Sequence, residues 1–181
     1  MIRAVFLDRD GVLNATTVRD NVSYPPASAA EVQILPGVPE ALAKLKSHGF
    51  ALIVVSNQPD IARGTQTTEE VVAINTVLTK SLPLDAVIFC PHDNQDNCDC
   101  RKPKPGLLFQ GARQLGGVDL AASFMVGDRW SDVLAGQAAG CKTILIERPY
   151  SQAAKCRPDF NAADLAEAAD IIVNVVKSER R

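Results

Sequence analysis

Two aspartates flank a single residue at the end of an apolar run, Val5-Phe6-Leu7-Asp8-Arg9-Asp10-Gly11. Ending a buried strand in paired carboxylates is unfavourable unless a cation joins them or their pKa values shift. Such a pair sets a carboxylate of nucleophile grade beside a second acid, both within reach of a hard cation such as Mg²⁺. A plainer reading stays open on these residues alone: Asp8 ends the strand and Asp10-Gly11 makes a turn.

A second cluster is more specific. Cys90-Pro91-His92 and Cys98-Asp99-Cys100 gather three of the five cysteines and one of the two histidines into residues 90–100. Three thiolates and an imidazole suit tetrahedral zinc, and four protein ligands leave no open position for catalysis. Thiols that merely pack as small hydrophobes have no reason to crowd in this way. Zinc held by Cys90, His92, Cys98 and Cys100 is therefore expected to be structural, because site formation and loop ordering are coupled. Cys141 and Cys156 lie outside the cluster and read as a core thiol and a surface thiol.

Cys100 runs directly into Arg101-Lys102-Pro103-Lys104-Pro105. Lys102 is a point charge suited to phosphate, in a backbone stiffened by two prolines. Ser56-Asn57-Gln58 follows another apolar run, where a hydroxyl and backbone N–H groups could hold phosphate oxygens or form an ordinary polar turn. Gly127-Asp128 ends a third apolar run, and Asp128 reads as a further metal-site acid. Asp132, four residues on, serves equally well as such an acid or as a charge at a helix N-terminus. His48 reads as a solvated or capping residue.

These groups need a scaffold. Ile2 to Leu7, Phe50 to Val55, Ala86 to Phe89, Ser123 to Val126 and Thr143 to Ile146 read as buried strands. Helical periods separate them. Val38, Ala41, Leu42 and Leu45 share one face between Pro36 and Gly49, and Thr67 with Glu70 forms a capping box. Leu107 to Leu115 and Asp132 to Ala139 supply two more helices, and Leu165 to Ala168 followed by Ile171 to Val173 a last, weaker unit. Alternation of this kind predicts an α/β fold, a Rossmann-like parallel sheet with helices on both faces. Ligands of such sheets bind outside the carboxyl ends of the strands. Asp8, Ser56, Cys90 and Asp128 all fall there.

At 181 residues the chain is expected to form one domain, residues 1–181. Its apolar fraction of 46% and charged fraction of 22% are ordinary for a globule. A net charge of −2 and a pI near 5.7 carry no electrostatic footprint for nucleic acid or an anionic membrane. The terminal Arg180-Arg181 pair is too short to create one. No apolar stretch approaches a membrane span, and Met1 to Leu7 is too short for a signal peptide, so a cytoplasmic location is expected.

Taken together, Asp8-x-Asp10-Gly11, Ser56, Lys102 and Gly127-Asp128-x-x-x-Asp132 resemble the four motifs of the haloacid dehalogenase (HAD) superfamily of phosphohydrolases, in order and in position at strand ends. The resemblance runs from Ile2 to about Glu147. It implies that Asp8 is the nucleophile and Asp10 the general acid and base. Mg²⁺ would be held by the Asp8 and Asp128 side chains and the Asp10 carbonyl, and Ser56 and Lys102 would hold the transferring oxygens. Cys-x-His…Cys-x-Cys-Arg-Lys-Pro, Ser56-Asn57-Gln58 and Ile61-Ala62-Arg63-Gly64 are similar to a narrower group, the heptose-bisphosphate and histidinol-phosphate phosphatases. That likeness implies substrate contacts from Asn57, Arg101 and Arg129, a monomer, and no large cap domain. It makes removal of the 7-phosphate of a heptose 1,7-bisphosphate, feeding lipopolysaccharide or glycoprotein, the first expectation. Histidinol phosphate or another small sugar phosphate is the alternative. Pro59-Asp60 and the long segment from Ala15 to Leu35 depart from the group's pattern.

Overall fold

The fold is described from a computed structural model covering residues 1–179; the Arg180-Arg181 pair lies outside the described residues. Six parallel strands form the sheet: β1 (Arg3–Leu7), β4 (Phe50–Asn57), β5 (Ala86–Cys90), β6 (Phe124–Gly127), β7 (Lys142–Ile146) and β8 (Phe160–Ala162). Their order is β5-β4-β1-β6-β7-β8. The chain builds outward from β1 on one side, then crosses over to build on the other. This reversal leaves a crevice at the carboxyl ends of β1, β4 and β6, where ligands of such sheets bind.

Strand alternation sorts the core into two layers. Val5 and Leu7 of β1 pack with α1 (Val38–Ser47) and α5 (Leu165–Glu179). Ala4 and Phe6 point to the opposite face, with α3 (Gly106–Gln114) and α4 (Trp130–Ala139). Both faces are covered, which is why these strands read as continuous apolar runs. The remaining helix, α2 (Thr68–Ser81), begins at the expected capping box: Thr67 Oγ1 accepts from Glu70 N, and Glu70 Oε2 accepts from Thr67 N. Cys141 is buried and His48 is the C-cap of α1, as expected.

Several boundaries differ from the sequence expectation. β4 continues through Ser56 and Asn57, which pair in register with Phe89 and Cys90, so these polar residues belong to the strand end rather than a following loop. The two pieces at 165–168 and 171–173 are parts of one helix, α5, whose buried stripe Leu165, Ala168, Ala169, Ile172, Val173 and Val176 has helical spacing throughout. β8 is a three-residue edge strand with little pattern to read. The segment from Ala15 to Leu35 contains a hairpin, β2 (Thr17–Arg19) and β3 (Val22–Tyr24). Its turn residues Asp20 and Asn21 have φ of 50° and 59°, the signature of a tight two-residue hairpin turn.

Candidate active site

The acid motif leaves β1 in a tight turn. Leu13 N donates to Arg9 O, and Gly11 N donates to Asn14 O. Gly11 has a φ of +84°, and a Cβ there would run into the Asp128 carboxylate and the Tyr150 hydroxyl. Glycine therefore lets the turn from β1 close against the acid that follows β6. Gly127 plays a matching part at the end of β6, since a side chain there would overlap that of Asp132.

Three acids meet in this crevice: oxygens of Asp8, Asp128 and Asp132 all lie within 4.8 Å of one another. Lys102 sits among them, fully enclosed. Its Nζ donates to Asp8 Oδ1 at 2.8 Å and to the Val55 carbonyl at 2.8 Å, and pairs with Asp132 Oδ1 at 2.5 Å. Asp132 also accepts from Arg129 N through Oδ2 at 3.0 Å, so it serves as both a lysine partner and a helix N-terminal charge. Burial pushes the Asp8 carboxyl up to about 6, against the pull of Lys102; the carboxylates of Asp132 and Asp10 add to the upward push. Burial, reinforced by Asp8 and Asp132, raises Asp128 well above the carboxylate range, although Tyr150 donates to it. The same surroundings keep Lys102 charged, because the two acids outweigh its burial.

Asp128 Oδ1 is buried and has no hydrogen-bond partner among the described residues. An orphaned carboxylate oxygen beside a second buried acid fits a hard, oxygen-seeking cation better than it fits an apoprotein at rest. The residues expected to hold Mg²⁺ thus converge: Asp8, Asp128 and the turn carrying Asp10.

Asp10 is held from three directions. Arg9 Nε and Nη2 donate to its two oxygens at 3.1 and 3.0 Å, Asn14 Nδ2 donates at 3.0 Å, and Gln58 Nε2 donates at 2.8 Å. Gln58 also donates to Ser56 Oγ at 2.8 Å. Ser56 is fully buried and reaches the acids through this amide. Arg9, Gln58 and Tyr150 are not among the residues singled out from sequence. Gln58 had a readable signal, its adjacency to Ser56-Asn57; Tyr150 had none, lying 22 residues beyond its partner.

Asn57 is engaged at both ends with the Lys102 backbone: Oδ1 accepts from Lys102 N and Nδ2 donates to Lys102 O, each at 3.0 Å. Its amide is thereby set to hold the lysine in place across two strand ends. The zinc-type quartet also assembles. Cys90 Sγ lies 3.5 Å from His92 Nδ1 and 3.6 Å from Cys98 Sγ, and Cys100 Sγ lies 3.4 Å from His92 Nδ1 and 3.5 Å from Cys98 Sγ. A zinc tetrahedron with Zn–S of about 2.3 Å has edges of roughly 3.7 Å. These four separations lie within a few tenths of an ångström of that edge, while Cys90 and Cys100, at 2.8 Å, lie well inside it. Burial pushes Cys90 and Cys100 up, whereas Cys98, despite burial, is brought down to about 7 by donors that include the Arg101 backbone. This loop grips Arg101, whose guanidinium donates to Asn94 Oδ1 at 2.8 Å and to the His92 carbonyl at 3.2 Å.

Asp8, Asp10, Asn57, Lys102 and Asp132 open into a cavity of about 320 Å³, within the ~300–1,000 Å³ range of small-molecule sites. Arg63, Arg101 and Arg129 line it as well, together with Val22 to Tyr24 of the hairpin and Pro25. The ion pairs of Arg63 go to Asp93 (2.7 Å) and Asp60 (3.4 Å). Arg129 is exposed, stacks over the Tyr150 ring at 5.4 Å, and touches the Ser23 carbonyl at 3.5 Å. Buried acids able to share a cation, a fixed lysine and arginines lining the same cavity are a combination suited to a phosphate ester.

Residues 99–168 match the family model described as HAD-hydrolase-like. The chain is 34% identical to the D-glycero-beta-D-manno-heptose-1,7-bisphosphate 7-phosphatase of Pasteurella multocida, over 95% of this chain and 97% of that protein. To the same enzyme of Escherichia coli K12 it is 35% identical, over 92% and 93%. Among solved structures it is similar to the D,D-heptose 1,7-bisphosphate phosphatase of B. bronchiseptica complexed with magnesium and phosphate, with a TM-score of 0.82 and 32% identity, covering 96% and 99% of the two chains. It also resembles a putative HAD-like phosphatase of Mesorhizobium loti, with a TM-score of 0.75 and 28% identity over 96% of this chain and 86% of that one.

Proposed function

Because this chain belongs to the heptose-1,7-bisphosphate 7-phosphatase family of HAD-like hydrolases, we propose that it removes the 7-phosphate of a D-glycero-D-manno-heptose 1,7-bisphosphate. The observation that carries this substrate is that arginines line the same cavity as the acids and Lys102. Lys102 already serves the reacting phosphoryl group, so Arg101 and Arg129, which line the same cavity, suit a second anion; Arg63 lines it too but is paired with Asp93 and Asp60.

Asp8 attacks phosphorus in line, and the sugar oxygen departs with a proton from Asp10, leaving the phosphoryl group on the Asp8 carboxylate. Asp10 then takes a proton from water as that water attacks phosphorus, freeing Asp8 and inorganic phosphate. Lys102 neutralises the transferring oxygens; Asp132, Asn57 and the Val55 carbonyl keep it on station. Ser56 assists through its hydroxyl, and Arg101 and Arg129 contact the substrate. The Asp8 and Asp128 side chains and the Asp10 carbonyl would hold Mg²⁺, which when bound would supply positive charge offsetting the repulsion between carboxylate and phosphate. Cys90, His92, Cys98 and Cys100 would hold a structural zinc ion, and the loop they form keeps Arg101 at the cleft through the His92 carbonyl and Asn94.

Histidinol phosphate, the other substrate of similar enzymes, carries an amine that needs a free carboxylate. Asp60 is the acid placed to offer one, but it is paired with Arg63. We read residues 1–181 as one domain, and the protein as a cytoplasmic monomer. Among the described residues no helix is long and apolar enough to cross a membrane.

The deciding experiment compares kcat/KM for both anomers of the heptose bisphosphate and for histidinol phosphate, with Mg²⁺ present. The bisphosphate is expected to lead by at least about tenfold, the equivalent of one good charged contact. Preference for the amine would overturn the assignment. Asp8→Asn is expected to remove turnover of a generic aryl phosphate as well; full activity in that variant would remove Asp8 from its role.

A further inference from the structure

Tyr150 lies in the turn after β7, far in sequence from every motif above, yet it is 7% exposed and its hydroxyl donates to Asp128 Oδ2 at 2.7 Å. The turn is firmly held. Arg148 N donates to Ser151 Oγ at 2.8 Å, Ser151 N donates to Arg148 O at 3.0 Å, and the Ser151 carbonyl accepts from Trp130 N at 3.0 Å. The last of these ties the turn to the start of α4, two residues beyond Asp128 itself. Gly11 closes the arrangement from the other side, since it leaves no room between the acid turn, Asp128 and the phenol.

A wholly buried carboxylate has two oxygens to satisfy. The phenol takes Oδ2, and Oδ1 is left without a partner. A neutral donor of this kind favours the ionised carboxylate without competing as a charge, and it fixes the torsion of the group. We infer that Tyr150 is a positioning residue for the divalent cation: its hydroxyl locks Asp128 so that Oδ1 alone is the oxygen offered to the ion. This inference rests on the reading that Asp8 and Asp128 hold Mg²⁺. Its second contact extends the role, for the same ring lies under the Arg129 guanidinium at 5.4 Å. One side chain thus braces a metal-site acid with its tip and a cleft arginine with its face.

Calorimetric titration of the full-length, zinc-loaded protein with MgCl₂, without substrate, tests this. The phenylalanine variant, Tyr150→Phe, keeps the ring over which Arg129 stacks and deletes only the donor. Its Mg²⁺ dissociation constant is expected to rise roughly tenfold, as for loss of other partners that orient metal ligands. The Mg²⁺ concentration giving half-maximal activity should rise in parallel, with kcat at saturating Mg²⁺ within about twofold of the parent, because excess ion restores an occupancy defect. A Mg²⁺ affinity within twofold of the parent overturns the inference. So does a lower melting temperature without Mg²⁺ combined with an unchanged Mg²⁺-induced rise, the mark of a purely structural role. The double variant Tyr150→Phe/Asp128→Asn supplies an independent check: it should bind Mg²⁺ no more weakly than Asp128→Asn alone, and an additive loss would show that Tyr150 does not act through Asp128. Failure of the unsubstituted protein to bind Mg²⁺ would instead remove the metal reading on which this inference stands.

Discussion

Arg9, the residue between the two motif acids, has no exposed surface and grips Asp10 with a fork, Nε to Oδ1 at 3.1 Å and Nη2 to Oδ2 at 3.0 Å. Its third nitrogen, Nη1, donates to Asn75 Oδ1 at 3.0 Å, which carries the acid turn over to α2. The general acid of the proposed reaction is therefore aimed by a side chain next to it in sequence and anchored on a helix 66 residues away.

Replacing Arg9 by alanine strips Asp10 of its charged partner, leaving it only the neutral amides of Asn14 and Gln58, and takes the Arg9 donor from the Asn75 side-chain carbonyl. The expected cost is about 3 kcal/mol of stability in urea or guanidinium unfolding, the lower end for removing one member of a buried pair, because Asp10 is partly open to the cleft. Lysine restores the charge but not the two-pronged geometry. Arg9→Lys should therefore recover part of the stability and less of kcat. Equal recovery of both would mean that the fork does not aim Asp10.

The Asp8 carboxyl rests at about 6 in the folded protein, above its ordinary 3.8, chiefly through burial. The folded state holds this proton more tightly than the unfolded chain does. Its contribution to stability without Mg²⁺ is thus fully present below about pH 3.8 and is lost as pH rises through about 6. Divalent-ion binding needs the ionised form. Mg²⁺ affinity is expected to be at least about tenfold weaker at pH 5 than at pH 7.5, with proton release on binding. Calorimetry in two buffers of different ionisation enthalpy measures both quantities, and a pH-independent affinity would contradict the burial of this charge.

Zinc should be retained through purification at one ion per chain, since thiolate and imidazole ligands saturate it. Stripping it with a strong chelator, or substituting Cys98→Ser, is expected to lower the melting temperature by on the order of 10 °C. KM should rise more than kcat falls, because Arg101 is held by the His92 carbonyl and Asn94 on the same loop. Metal analysis paired with steady-state kinetics on the stripped protein checks this. Unchanged melting would show that the quartet binds no structural ion.

Gly11→Ala combines a left-handed backbone with a methyl group driven into Asp128 and Tyr150. Strain of that kind costs roughly 1–3 kcal/mol, and here it also displaces the acid offered to the cation. The variant should unfold at lower denaturant concentration and need more Mg²⁺ for half-maximal activity. Loss of stability with an unchanged Mg²⁺ requirement would separate the turn from the metal site.

Much of this protein was readable from the chain because its key signals are local. Asp8 and Asp10 straddle one residue, the four zinc-type ligands fall within residues 90–100, and Thr67 with Glu70 caps its helix three positions apart. Buried parallel strands leave long apolar runs whatever their order, so the α/β class follows from alternation alone. The strand-end placement of Asp8 and Asp128 followed from the same runs. Even the hairpin at 17–24 carried a local sign in Asp20-Asn21, two residues that tolerate positive φ.

What the linear chain could not decide is which groups meet across it. Asp132 reads as a helix charge or as a site acid, and only the fold brings Lys102 against it and makes it both. Asn57 reads as a substrate contact, and only the fold shows that its amide also grips the Lys102 backbone from the end of β4. Tyr150 has no motif at all, and acquires a function because β6 and β7 lie side by side and end at the same edge of the sheet. The composition and short-range spacing of this chain thus determine its class of chemistry, since strand, turn and ligand preferences act over a few residues. The aim and charge state of each acid belong to the tertiary structure, since burial and hydrogen bonding depend on neighbours that sequence distance does not reveal.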